Sequence, residues 1–247
     1  MDQQQQAPEQ QAPEHREHKF STPHQLLKLF SLTGFLYGPV DDRLEIREAL
    51  DKALKKPVPY YVNYWYCFGG ITFLLFCIQM VTGVLLMMYY RPTISEAYAS
   101  VVNITNNIHF GWLIRGIHHW AANLMIVTLL VHMARVYWHR AYKPPRDFNW
   151  IVGIVLMGVT FVFGFTGYLL PWTQLSFWAT TVGTEIPAAV PFLGDALRVL
   201  SRGGEEVTQI TLTRFFALHV MLLPALATGF LVTHFLILRR QGISKPL

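Results

Sequence analysis

Five histidines stand in apolar stretches where an imidazole is costly. "RGIHHWAANLMIVTLLVHMARV", residues 115–136, holds His118, His119 and His132; "LHVMLLPALATGFLVTHF" holds His219 and His234. An ionisable side chain inside a membrane-crossing segment is a functional candidate by default, although a single histidine could simply be hydrogen-bonded to a neighbouring helix. Helical geometry, at about 100° per residue, sorts the five. His118 and His132 are 14 residues apart and fall about 40° from alignment. His219 and His234 are 15 apart and fall about 60° from alignment. His119 and His132 are 13 apart, on nearly opposite faces. His118, His132, His219 and His234 can therefore share an interior, while His119 turns toward a neighbouring element or the interface. If both segments run in the same direction, His118 is level with His219 and His132 with His234. Two facing imidazoles at each of two depths suit axial ligation of haem iron. Zinc would want three or four ligands close together. Two stacked haems would make an electron path across a bilayer.

The elements that must carry these residues are legible in the hydropathy. The chain has 247 residues, 52% hydrophobic and only 14% charged, the profile of a membrane protein. Four apolar segments, about Tyr64–Tyr90, Gly111–Trp138, Trp150–Leu170 and Phe215–Leu238, are each long enough to cross a hydrocarbon core of about 30 Å as a helix. Trp65, Trp112, Trp138, Trp150 and Trp172 lie near their ends, as an aromatic belt requires. The net charge of +5 calls for no nucleic-acid partner, because the basic residues cluster beside apolar runs. Lys52, Lys55 and Lys56 precede the first segment, Arg140, Lys143 and Arg146 join the second to the third, and Arg239, Arg240 and Lys245 follow the fourth. Both termini and that middle loop are expected on the negative side, and the long 172–213 connection on the positive side. Residues 40–56 read as an amphipathic surface helix with Leu44, Ile46, Leu50 and Leu54 on its apolar stripe. Residues 1–36 form a Gln- and Pro-rich tail expected to be disordered, and residues 37–247 the membrane domain. No secretory signal peptide is expected from this polar N-terminus. Cys67 and Cys77 lie ten residues apart on one helix, about 15 Å, too far for a disulfide.

Glycines repeat the histidine step. Gly69 and Gly83 in the first segment, and Gly153 and Gly167 in the third, are each 14 apart. Glycine admits a flat macrocycle close to the backbone, as two haems at two depths would require. Close helix packing through small residues is the alternative. Arg115 and Arg135, three residues from His118 and His132, could pair with haem propionates, or snorkel to the interface.

The stretches "YCFGGITF", "YYRPT", "FGWLIRGIHHW", "KPPRDFNWIVG", "FTGYLLPW", "TLTRFFALH" and "RRQGISKPL" together resemble the cytochrome b family of quinol–cytochrome c reductases, in its short b6-type form, over about residues 40–247. The resemblance implies an all-α four-helix membrane bundle enclosing two b-type haems. His118 and His219 would ligate the positive-side haem iron, and His132 and His234 the negative-side one. It implies a proton-releasing quinol-oxidising enzyme complex in which this chain is incomplete alone. Its partners would be a Rieske iron–sulfur protein, a subunit-IV-like second half of cytochrome b and a c-type cytochrome or copper protein, in a dimeric complex. Gly167, Tyr168, Pro171 and Trp172 would line the quinol-oxidation pocket. Cys67, in "YCFGG", would hold a third, covalently attached c-type haem, and Arg239 would lie near the negative-side haem. The expected location is a bacterial plasma membrane rather than a thylakoid. The alternative function is a dihaem anchor of a dehydrogenase or hydrogenase, which would not need "GYLLPW" or the Cys67 motif.

Overall fold

The computed structural model describes residues 59–244. The N-terminal tail, the 40–56 amphipathic helix, the lysines before the first segment and Lys245 lie outside the described residues. Every described regular element is helical. Continuous apolar runs of this length, only the last of them interrupted by a proline, Pro224, satisfy their backbone groups as helices in a lipid environment. Four segments are long and apolar enough to cross a membrane: Tyr64–Met87, Gly111–Trp138, Asp147–Leu169 and Gln209–Gln241.

A 3₁₀ turn, Tyr64–Cys67, leads into α1 (Phe68–Met87). A short helix, α2 (Ala97–Asn106), follows and feeds α3 (Gly111–Trp138). The α2–α3 corner needs glycine at position 111, where an added Cβ would strike the Ile104 carbonyl. The chain then breaks at Pro144–Pro145 before α4 (Asp147–Leu169), whose Asp147 suits the positive end of the helix dipole. The long connection is structured. It forms α5 (Gln174–Ala188), opened by a Thr173–Ser176 capping box, and α6 (Gly194–Arg202), closed by Gly203 at φ 84°. The last span is α7 (Gln209–Ala217), a π-helical turn at Leu218–Leu222, and α8 (Leu223–Gln241). α1 packs along α3, and α4 along α8.

The tightest core sits at one end of the spans, where Ala97, Leu169, Leu212 and Phe215 are fully buried against Tyr90, Phe165, Leu170, Trp172 and Leu218. Tyr90 donates its hydroxyl to the Leu170 carbonyl at 2.6 Å. Burial pushes its phenol well above the usual range, so it remains a protonated donor. Elsewhere the spans show large apolar side chains outward, Leu74, Val127, Ile151 and Leu236 among them. Such faces suit lipid or partner helices.

Arg202, 4% exposed, staples the α5–α6 hairpin. Its Nε donates to Thr184 Oγ1 at 2.7 Å, and its Nη2 to the Thr181 carbonyl at 2.7 Å and to Glu185 at 2.6 Å. Its Nη1 donates to the Glu205 carbonyl at 2.7 Å. Arg202→Met keeps the apolar stem and removes all four bonds, among them the buried one to Thr184 and the ion pair with Glu185. The expected cost is about 3 kcal/mol. Limited proteolysis should then open the 174–202 region; a hairpin as resistant as the parent would show that packing alone holds it.

Candidate functional site

The spans bring the four candidate histidines together in two levels. His118 on α3 faces His219 in the π turn, with ring centroids 6.4 Å apart and planes at 71°. His132, on α3, and His234, on α8, lie within electrostatic reach of each other at the second level. His119 is exposed and stands edge-on to Trp120.

Each of the four glycines meets one of these rings. A Cβ at Gly83 would lie 3.4 Å from His118 Cε1, and one at Gly69 would lie 2.9 Å from His132 Cε1. One at Gly167 would lie 2.6 Å from His219 Cε1, and one at Gly153 would lie 3.8 Å from His234 Cε1. Moving 14 residues along α1 therefore matches moving 14 back along α3, the register of an antiparallel pair. The 14-residue glycine step thus has a neighbour more immediate than a macrocycle: the imidazole edge of the partner helix.

The second pair holds a surprise. Fourteen residues along α4 match fifteen along the last span. A uniform α-helix would give His219 and His234 a different angular offset from His118 and His132. The π turn at Leu218–Leu222 absorbs the extra residue, because it holds one more residue than an α turn. Pro224, just beyond it, has no N–H to offer the carbonyl four residues earlier, inside that turn. Both histidine pairs then share the offset of a 14-residue step, about 40°.

Polar contacts fix the rings of the first level. Thr82 Oγ1 lies 2.8 Å from His118 Nδ1, and Thr166 Oγ1 lies 3.2 Å from His219 Nδ1. Gln79 donates to the His118 carbonyl at 2.7 Å. At the second level His132 Nδ1 has no hydrogen-bond partner among the described residues. His234 leans on the backbone of Asn149 without a well-formed bond.

Two imidazoles facing each other at this distance could hold a metal between them. A metal–imidazole bond is about 2 Å, and a ring centroid lies roughly 1 Å behind its nitrogen, so two rings holding one metal between them would stand about 6 Å apart. No group of three or more His, Cys, Asp or Glu side chains that could hold a metal ion occurs among the described residues, which disfavours a zinc-like site. Glycines rather than larger residues flank all four rings. Arg135 stacks its guanidinium 3.6 Å over Tyr66, with Nε and Nη2 buried and unmatched among the described residues. Such a cation fits an acidic group at the second level.

The remaining candidates separate. Gly167 turns to His219, whereas Pro171 joins Arg115, Tyr98, Val101, Thr105 and Thr173 around a cavity of about 280 Å³. Tyr168 is exposed. Trp172, at φ 49°, packs edge-on to Phe177 and joins the buried core. Arg115 is exposed at the cavity rim rather than withdrawn beside His118. Cys67 is free and exposed, in the turn before Gly69, while Cys77 is free and half-buried. Arg239 is exposed in the last turn of α8. The two threonines and Gln79 were not singled out in the sequence, although each threonine directly precedes one of the paired glycines, which is a readable signal.

Known proteins share this architecture. A family profile described as cytochrome b/b6/petB matches residues 53–242. Cytochrome b6 of Synechococcus sp. (strain JA-3-3Ab) is 48% identical over 212 residues, covering 86% of this chain and 99% of the relative. Cytochrome b6 of Tupiella akineta is 47% identical with the same coverage, and that of Prochlorococcus marinus (strain NATL1A) is 46% identical, covering 97% of the relative. A solved chain of a hyperthermophilic respiratory Complex III superimposes with a TM-score of 0.79 at 34% identity, over 85% of this chain and 56% of that one. With four apolar spans, histidines paired at two levels and relatives this similar over most of its length, the chain is an integral membrane protein belonging to the cytochrome b/b6 family.

Proposed function

We propose that this chain is the haem-carrying electron-transfer subunit of a Rieske/cytochrome b complex that oxidises quinol on the positive side of a bacterial plasma membrane. The observation that carries the reading is the 6.4 Å facing of His118 and His219 across α3 and the last span. His118 and His219 would hold the positive-side b-type haem, and His132 and His234 the negative-side one. Haems held there would supply one-electron carriers across the membrane for one electron of quinol, and the other would leave through a Rieske protein toward a c-type cytochrome or copper protein. The chain's own residues bind, orient and shield. Gly69, Gly83, Gly153 and Gly167 leave room for the rings, and Arg135 offers unmatched guanidinium nitrogens to a propionate. Pro171, Trp172 and Tyr168 border the positive-side end of α4, where the quinol pocket is proposed and two protons would be released. A subunit-IV-like partner would supply the rest of that pocket, within a dimeric complex. Both termini are assigned to the negative side, with residues 1–36 as a tail outside the membrane domain.

A covalent c-type haem at Cys67 is part of this proposal. Cys67 is exposed, two residues before the glycine that meets His132, so its thiol has open space beside the negative-side level. The expected result of pyridine haemochrome analysis is three haems, of which acid–acetone removes two. Cys67→Ser should lose only the retained one. Two extractable haems and none retained would remove the covalent haem and keep the electron-transfer core. Well-folded protein without haem would sink the whole reading.

A further inference from the structure

Thr82 and Thr166 sit at equivalent places on two different helices. Each hydroxyl has one proton to give. Thr82 Oγ1 donates it to the Ile78 carbonyl at 2.7 Å, and Thr166 Oγ1 to the Val162 carbonyl at 2.8 Å, both one helical turn back. Each oxygen is then left with lone pairs toward the imidazole, 2.8 Å from His118 Nδ1 and 3.2 Å from His219 Nδ1. The hydrogen in each of these contacts must come from the ring. His118 and His219 are thereby held as Nδ1–H tautomers, with Nε2 unprotonated. That is the nitrogen lone pair a metal needs.

The other level lacks this device in the same helices. Stepping back 14 residues from Thr82–Gly83 gives Phe68–Gly69, and from Thr166–Gly167 gives Val152–Gly153. Phenylalanine and valine cannot accept a hydrogen bond. His132 Nδ1 accordingly has no partner among the described residues, and His234 has only its loose contact with the Asn149 backbone, a contact His219 matches at Phe163 in addition to its threonine. The asymmetry occurs twice, once in each helix pair, so it does not depend on one side chain's placement.

We propose that Thr82 and Thr166 are positioning residues that make the His118–His219 level harder to reduce than the His132–His234 level. The inference rests on the haem-ligation reading above. An Nδ1–H that donates to a fixed oxygen makes its imidazole a more basic ligand. A more basic ligand pair favours the oxidised, more positive iron. An electron delivered at the first level then moves downhill to the second, so the direction of transfer is written into two hydroxyl groups.

The test is a redox titration of the complete complex, following the two b-type bands separately in Thr82→Val and Thr166→Val. Valine keeps the shape and removes only the acceptor. Each variant should shift the reduction equilibrium of the first-level haem by about three- to tenfold toward the reduced form. Tenfold is 59 mV for a one-electron couple. Thr82→Ser and Thr166→Ser should restore the parent value, and the second-level haem should not move. Full haem content with an unchanged midpoint in both valine variants overturns the proposal and leaves ligation intact. A failure of ligation itself shows separately, as unchanged haem content in His219→Leu. If the valine variants shed haem, Val152→Thr installs the missing acceptor at a buried position beside Gly153. It should lower the second-level midpoint; no change at full haem content also overturns the proposal.

Discussion

His219→Leu should reduce the b-type haem content from two to one, with the survivor at the His132–His234 level. Leucine is close to histidine in volume and apolar, so the span should still pack. The loss leaves no donor orphaned, because the Thr166 hydroxyl already donates to the Val162 carbonyl. What disappears is one of two imidazoles facing each other at 6.4 Å, and a metal held from one side only would not stay through purification. His118→Leu should give the same count by removing the opposite ring. His119→Leu should leave both haems, since His119 is exposed and away from the pair. Haem counting on detergent-purified complex reads all three. Two haems retained in both His118→Leu and His219→Leu would refute the assignment of that level.

Alanine at the four glycines should produce a graded series. The gradient separates two physical reasons for the glycines. If a glycine is needed because an imidazole edge approaches the backbone, the cost follows the space available to a Cβ. Gly167→Ala is then the worst, at 2.6 Å from His219 Cε1, followed by Gly69→Ala at 2.9 Å from His132 Cε1. Neither ring can retreat freely: His219 is held by Thr166, and His132 lies in the packed α1–α3 seam. Overpacking of this kind costs about 1–3 kcal/mol. Gly83→Ala, at 3.4 Å, should be close to neutral, and Gly153→Ala, at 3.8 Å, makes only ordinary contact. Both gain up to about 1 kcal/mol in helix propensity. Thermal denaturation of the purified complex, followed by release of the Soret band, measures the order. Four equal losses would instead favour the macrocycle as the body that needs the space.

Much of this was open to inspection in the amino-acid order alone. Four runs of apolar residues fix four spans, because hydropathy and length are local properties and lipid allows little else. The choice of His118, His132, His219 and His234 followed from a rotation of about 100° per residue, their pairing from two segments running in the same direction, and the glycine step from counting. The family was readable because "GYLLPW", "RGIHHW" and "KPPRDFNW" occur together and in order.

Other features were decided between segments far apart in the chain. The π turn at Leu218–Leu222 was hidden, because a 15-residue separation looks like an angular mismatch until one turn is wound wider. Which glycine meets which histidine depends on the antiparallel register of α1 with α3 and of α4 with α8, set by packing along their whole length. Thr82 reaches a ring 36 positions away and Thr166 one 53 positions away, contacts no local period encodes. The residues of "GYLLPW" part company because a helix end and the left-handed Trp172 turn them to different surroundings: Gly167 to His219, Pro171 to the cavity, Trp172 to the core. Arg202 looks in the sequence like one more loop cation and is instead the buried staple of α5 and α6. Local periodicity and composition determined what crosses the membrane and which side chains could ligate. Packing between helices decided which atoms stand beside those ligands, because hydrogen bonds and van der Waals contacts act only where tertiary structure closes the gap.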